Sequence, residues 1–475
     1  MPAPVFPFAS AAIFALLAVG QAQALLEAGL VHERARRFDQ AAASYEAALA
    51  RAPDLVAARD RLGFVRGQQG RTADALREFE AAVRLRPDYF DAQYHLGATQ
   101  WWVGNVDEAH AALEAAVRLA PDHAEARYYL ALTLKKKGDV LGAVRHLRRV
   151  IAASPDLAPA LLHLGIALKE LGDPRAAVDV LRRAVALQPH VTDAQNALGL
   201  ALMDAGIGEE AVSTFRALLA AHPTDTSARH NLGSALLHQG DLDAAITVYR
   251  ELVRAAPENA EAFYNLAMAL KQKDDFAGAL LELQRAVALD PSLHDAHYAL
   301  GVVLWQTGRA DEAMAAFRAA IARKPDLADA HYMLGTILRQ QGRPDDALTA
   351  FREAIRLRPG AAEGHLSLGQ ILQQQGDRAG AAAAFAEAQR LQRQKGDAQA
   401  GAFAASTAAG KLKRGDVAGA IDGFREAVRL DPQNAHAHLQ LAGALQRAGR
   451  PAEARGAFAE AQRLAPWLEM PGPRS

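Results

Sequence analysis

Ten prolines stand 34 residues apart, at Pro53, Pro87, Pro121, Pro155, Pro189, Pro223, Pro257, Pro291, Pro325 and Pro359. A fixed period of this length marks a helical repeat array, in which one supersecondary unit stacks on the next. The stretch ADAHYMLGTILRQQGRPDDALTAFREAIRLRP, from Ala328 to Pro359, shows what lies between two prolines. Leu334, Gly335 and Leu338 fall at i, i+1 and i+4, Gly342 interrupts, and Ala347, Phe351 and Ala354 resume at i, i+4 and i+7. The pattern predicts two amphipathic helices joined by a glycine turn.

The small residues of the unit have a steric reading. Gly335 and Ala347 fall where two antiparallel helices come closest, so that missing bulk lets the backbones approach to ~8–10 Å. Gly342 supplies the left-handed conformation that ends the first helix. Pro359 lacks an amide donor and biases the residue before it away from helix, which closes the second.

Leu-Gly at repeat positions 7 and 8, Ala at 20, Phe at 24, Ala at 27 and Pro at 32 resemble the signature of the tetratricopeptide repeat family. The resemblance implies an all-α fold, a right-handed superhelical solenoid of about thirteen tetratricopeptide-type helix-turn-helix repeats. It also implies a concave groove lined by positions 2, 5, 9, 12 and 13 of each first helix, with position 6 nearby.

Aligned on the prolines, residues 22–395 read as eleven repeats, 396–400 as an insert or hinge, 401–468 as two further repeats and 469–475 as a tail. The first repeat has Arg36 at its turn, and the eighth has Asp274, a residue that tolerates the left-handed region. The register breaks where Arg393 replaces a proline and Gly396–Ala400 adds five residues. The octapeptide AFAEAQRL occurs at Ala384–Leu391 and again at Ala457–Leu464, each time in a second helix that closes a run. The hinge reading makes the last two repeats a short array appended to an older terminus. After Pro466 no polar capping helix follows, so either Trp467 and Leu468 fold back or the last face meets a partner, such as a second copy of the chain.

Residues 1–24 form an apolar leader without charge, and Ala22-Gln23-Ala24 offers a small-x-small cleavage site. Export by a cleaved signal, to the periplasm or outside the cell, is the favoured reading; a cytoplasmic leader is the alternative. The run is short for a spanning helix of ~20 residues, so an uncleaved anchor with membrane contact ranks last.

Two aromatic groups fall on the expected groove. One comprises Tyr94, Trp101, Trp102, Tyr128 and Tyr129, with Lys135 and Lys136; the other comprises Tyr264, Tyr298, Trp305 and Tyr332, flanked by Asn231, Asn265, Lys271 and Arg339. Trp and Tyr supply rigid contact area while Asn and basic residues grip an extended backbone, so Trp101, Trp102, Tyr128, Tyr129, Lys135, Lys136, Asn231, Tyr264, Asn265, Tyr298, Trp305 and Tyr332 are the candidate partner-binding residues. The competing reading for the tyrosines is packing between adjacent first helices. Three of the four tryptophans lie on the expected inner face, which favours binding for them.

Some members of the family grip acidic chaperone tails with a Lys/Asn clamp, but position 6 here reads Arg61, His95, Tyr129 and His163 in successive repeats, which does not match. Histidines recur at position 4 (His297, His331, His365, His438). Side chains in neighbouring repeats lie on the order of 10 Å apart, too far to share a zinc ion that needs ligands at ~2.0–2.1 Å, so these are read as packing residues. Acidic residues at position 2 suit a helix N-terminus. Lys135-Lys136-Lys137, with Arg145, Arg148 and Arg149, reads as a solvated basic face. No phosphate loop, nucleophile elbow or metalloprotease helix occurs, and the repeats use up the chain. The 53 basic and 54 acidic residues balance, and cysteine is absent. Catalysis, a cofactor, a metal and a nucleic-acid partner are therefore not expected. The function expected is an interaction scaffold that binds extended peptides or partner subunits in its groove, in cell-envelope or secretion assembly. The alternative is a substrate-presenting accessory subunit of a glycosyltransferase related to O-linked N-acetylglucosamine transferases.

Overall fold

The computed structural model describes residues 8–468, with side chains from residue 18 onward. The leader's first seven residues and the tail 469–475 lie outside the described residues. Among the described residues the chain forms twenty-five α-helices and no strand. It divides into two compact units, Met1–Ala205 and Gly206–Ser475. That boundary falls inside the sixth repeat, between helices Thr192–Asp204 and Gly208–Ala221, where the sequence predicts no break.

The tenth repeat pairs helix Ala328–Gln340 with helix Pro344–Leu357. Gly342 has a φ of 73° and ends the first helix, as do glycines at the corresponding turns elsewhere. Where glycine is missing the backbone takes the same left-handed turn: Arg36 has a φ of 55° and Asp274 a φ of 61°. Several second helices begin on an aspartate cap, among them Asp275 to the Gly278 amide at 2.9 Å and Asp173 to that of Ala176 at 3.2 Å. Each such cap contributes about 1 kcal/mol.

The glycine at position 8 does something more specific than admitting a close backbone approach. A Cβ on Gly301 would sit 2.7 Å from the Phe317 ring, and one on Gly335 would sit 3.0 Å from Phe351. The space left by the missing side chain is filled by the position-24 ring of the same hairpin. Phe317 and Phe351 are fully buried there, so truncating either to alanine should cost about 3–5 kcal/mol. Neighbouring repeats are also tied by side chains thirty residues apart: Gln341 donates to Asp311 at 2.9 Å, Gln375 to Asp345 at 2.7 Å, and Lys137 pairs with Asp107 at 2.6 Å.

The register break is not a hinge. Residues 396–400 are helical and lie within one 36-residue helix, Arg378–Lys413, that fuses the second helix of the eleventh repeat to the first helix of the twelfth. The physical reason is the missing stop. Arg393 keeps the amide that proline lacks, and Gly396 is not among the positive-φ glycines that end helices elsewhere. At the C-terminal end Leu468 is 4% exposed and packs with Ala461 and Ala465, beside Leu439 and Trp467, so the last hairpin carries its own cover.

Candidate functional site

The inner-face side chains follow a simple rule of adjacency. Position 5 of one repeat meets position 6 of the next, 35 residues on: His95 approaches Asp60 at 2.7 Å, His230 approaches Asn265 at 3.1 Å, Tyr94 and Tyr129 have ring centroids 6.3 Å apart, and Tyr128 and His163 5.8 Å. Within each unit these first helices thus meet through positions 5 and 6, and whatever occupies those positions there forms a strip.

In the third and fourth repeats this strip is aromatic, with Tyr94, His95, Tyr128 and Tyr129, and Trp101 and Trp102 extend it from positions 12 and 13 of the third. Trp101 meets Tyr129 edge-on at 5.7 Å and Trp102 at 5.1 Å, while Tyr129 meets Tyr128 at 5.6 Å. Phe90 stacks on Tyr94 at 6.0 Å, and Tyr94 donates to Glu125 at 2.8 Å. Burial first, and then the Glu125 carboxylate, push the Tyr94 hydroxyl pKa up; burial also raises Tyr128 to about 12. Both phenols are therefore neutral donors throughout the ordinary pH range. Trp102 is 71% exposed, with Val103 exposed beside it and Lys136 exposed on the next first helix. Lys135 is engaged with Glu170 at 2.9 Å.

The second predicted group does not assemble in the same way. Tyr298 packs on Phe317 at 5.6 Å and Tyr332 on Phe351 at 5.5 Å, each inside its own hairpin, and Trp305 is half-buried against the same core. Tyr264 is half-buried, with its hydroxyl pKa raised by burial and by Asp295. Asn265 is held by His230, and Asn231 lines a pocket of about 250 Å³ with His230, Asn259 and Glu261. The equivalent pocket three repeats later, about 280 Å³, is lined by Tyr332, Asp329, Arg358 and Glu363. Tyr298 and Tyr332 thus pack on the second helix of their own hairpins, and not between adjacent first helices as the competing reading of the tyrosines has it.

The position-4 histidines have a different role from filling space. His297, His331 and His365 each approach the carbonyl of the proline six residues earlier at 3.0 Å, and His438 does so at 3.1 Å. A carbonyl only accepts, so each imidazole donates its Nε2–H, and each histidine is bonded within its own turn.

One polar constellation escaped the sequence reading. Asp60 is fully buried; its Oδ1 faces His95 and its Oδ2 lies 3.8 Å from Arg61. Arg61 reaches Glu33 at 3.4 Å, and Glu33 accepts from the Tyr45 hydroxyl at 2.6 Å. The chain crosses the first three repeats. An acid at position 5 followed 35 residues later by a histidine at position 6 was the available signal, legible only once the adjacency rule is known.

Family models described as tetratricopeptide repeat match residues 162–226, 203–260, 230–294, 264–328 and 332–398, then 68–133 and 411–466, and also 23–54 and 125–156, together most of the chain. No curated protein matches it. Among solved structures, the chain is similar to MamA, with 28% identity over 35% of this chain and 96% of that one and a TM-score of 0.33. It is similar to yeast Tom70, with 15% identity over 93% and 96% and a TM-score of 0.42. It is similar also to YrrB, described as a TPR protein with an unusual peptide-binding site, with 24% identity over 39% and 96% and a TM-score of 0.32.

Proposed function

The chain belongs to the tetratricopeptide repeat family, and from that premise we propose that this protein-interaction scaffold holds an extended segment of a protein partner against the aromatic strip of its third to fifth repeats. The observation that supports this reading is the exposure of Trp102 beside the ring network of Trp101, Tyr129 and Tyr128. A large exposed indole set against half-buried aromatic rings is the kind of anchor that dominates interfaces, and rings already fixed by their neighbours lose little freedom on association. Lys136 adds a cation at the edge of the strip for an acidic or carbonyl group of the bound segment.

The test uses peptides selected by display against the full chain, with affinity measured for the wild type, Trp102→Ala and Trp305→Ala. Loss of tenfold or more in affinity with Trp102→Ala, at unchanged thermal stability, is expected. Trp305→Ala should lower stability, because that indole packs against the core, and leave peptide affinity nearly unchanged. Equal affinity of the wild type and Trp102→Ala would remove the aromatic strip as the docking surface.

A further inference from the structure

Position 4 is occupied by arginine in three repeats, at Arg59, Arg127 and Arg229. Each guanidinium donates to the carbonyl of the proline six residues earlier, Pro53, Pro121 and Pro223, so the three are held at the same place in their hairpins. In two of them the charge is answered from the second helix of the same hairpin. Arg59 Nη1 lies 3.0 Å from Glu78, at position 23, and Arg229 Nε lies 3.9 Å from Glu251, at position 26. A guanidinium stays protonated at any ordinary pH, and one withdrawn from water needs such a partner.

The fourth repeat breaks this pairing. Its positions 23 and 26 are His146 and Arg149, so neither glutamate has an equivalent, although Arg127 is only 6% exposed. Arg127 Nη1 faces His146 Nδ1 at 3.3 Å instead. Burial and the charges of Arg127, Arg149 and Arg145 hold that imidazole down to about 4, so it is neutral and brings no compensating charge. Burial and the Arg149 charge both disfavour the Arg127 cation; the carboxylate that favours it, Asp122, is exposed on the preceding loop. Among the described residues no carboxylate forms an ion pair with Arg127, Arg145 or Arg149. Arg145 and Arg149 are exposed, and the helix that bears them, Val140–Ala153, has no acidic side chain.

We propose that the cluster of Arg127, Arg149 and Arg145 receives the carboxylates of an acidic segment of a protein partner. The occupant is a carboxylate because Glu78 and Glu251 serve the equivalent arginines of the second and seventh repeats, and because the guanidinium fork matches a planar carboxylate. It is a segment and not a single residue because Arg145 and Arg149, four apart, share one exposed face of their helix. One carboxylate at Arg127 and Arg149 leaves its neighbours in the partner within reach of Arg145. The site is separate from the aromatic strip: Arg127 turns to the second helix of its own hairpin, whereas Tyr128 beside it meets His163 of the next repeat. The partner thus supplies between two chains the charge that the second and seventh repeats find within one.

Fluorescein-labelled octaglutamate, titrated into the full chain at about 50 mM salt, where exposed charges are weakly screened, tests this. The wild type should bind it. Arg149→Glu places a carboxylate at position 26, as Glu251 does in the seventh repeat; it should lower the affinity about tenfold or more and raise the melting temperature, because Arg127 then has its partner within the chain. Arg84→Glu makes the same change of charge on an exposed side chain of the second repeat and should lower the affinity less than about twofold. Absence of binding, equal losses in the two variants, or a melting temperature lowered by Arg149→Glu would overturn the assignment. So would tighter binding of a single-stranded oligonucleotide of equal charge, or of phosphatidylserine vesicles, than of octaglutamate.

Discussion

His331 donates its Nε2–H to the carbonyl oxygen of Pro325 at 3.0 Å, closing the loop that carries the chain from the ninth repeat into the tenth. Where a proline follows the second helix it has no amide to give, but its carbonyl can still accept a hydrogen bond. The same oxygen is served elsewhere by glutamine, from Gln93 to Pro87 at 2.9 Å and from Gln195 to Pro189 at 2.6 Å, and by arginine, from Arg59 to Pro53 at 3.0 Å. Position 4 therefore selects for a reach and a donor, and not for a ring. His331→Gln should be nearly neutral, whereas His331→Leu removes a solvent-accessible hydrogen bond and should cost about 0.5–1 kcal/mol. Amide exchange across residues 324–340, compared between the two variants, checks this; equal protection would show that the bond contributes nothing.

Acid should loosen the array before its carboxylates titrate. His146 is held down to about 4, first by burial and then by the charges of Arg127, Arg149 and Arg145, and its neutral Nδ1 lies 3.3 Å from Arg127 Nη1. Burial is also the leading cause that lowers His163, His230 and His297. A histidine whose folded pKa lies below its unfolded value of ~6.5 contributes full stability above that value. The contribution is lost as pH falls from about 6.5 towards 4, because only the unfolded chain takes up the proton. Urea midpoints measured across this window should fall, and His146→Gln should flatten part of the slope. A midpoint independent of pH between 6.5 and 4.5 would contradict the assignment.

The hairpin was legible in the sequence because its determinants are local: a ring at position 24, a hollow at position 8, and a turn that requires a positive φ. Asp274 shows the limit of that legibility in a favourable case, since the surrounding pattern identified its left-handed turn although the residue itself only tolerates it. The fused helix was not legible as such. The break at Arg393 was visible, but an inserted stretch containing glycine reads equally as a loop, and the outcome was decided by the absence of both a proline and a left-handed glycine. Among the predicted binding residues, Tyr128 and Tyr129 join their neighbours because positions 5 and 6 of successive repeats abut, whereas Trp101, at position 12 of the third repeat, reaches Tyr129 by a contact that this rule does not cover. Tyr298 and Tyr332 turned towards the large rings of their own hairpins, a choice set by side-chain packing that periodicity does not encode.

The eighth repeat should gain from the residue that its neighbours already use. Asp274 has a φ of 61° where Gly308 has 78° and Gly342 has 73°. A side chain in that region costs about 1 kcal/mol relative to glycine, while glycine adds entropy to the unfolded chain. Asp274→Gly should therefore stabilise the array by roughly 0.5 kcal/mol or more, read as slower amide exchange in helices Ala260–Gln272 and Phe276–Leu289. Faster exchange would mean that the Asp274 side chain contributes more than its strain costs.

The buried carboxylate of Asp60 should prove to be the strongest single tie in the first three repeats. It has lost its water, and its compensation comes from His95 on one oxygen and Arg61 near the other. Arg61 is shared in turn with Glu33. Removing one member leaves charge uncompensated in a site of low polarity, which costs about 3–5 kcal/mol for a buried pair, whereas replacing both members with apolar groups of similar size is often close to neutral. Asp60→Ala should thus open the first three repeats preferentially, seen as accelerated exchange from residue 22 to about residue 123 with later repeats of the same compact unit less affected, as expected of stability built from nearest-neighbour terms. Asp60→Leu combined with His95→Ala should recover much of the loss, giving a coupling energy of at least about 1 kcal/mol in a double-mutant cycle. Additive effects of the two changes would show that Asp60 and His95 share a site without sharing a bond.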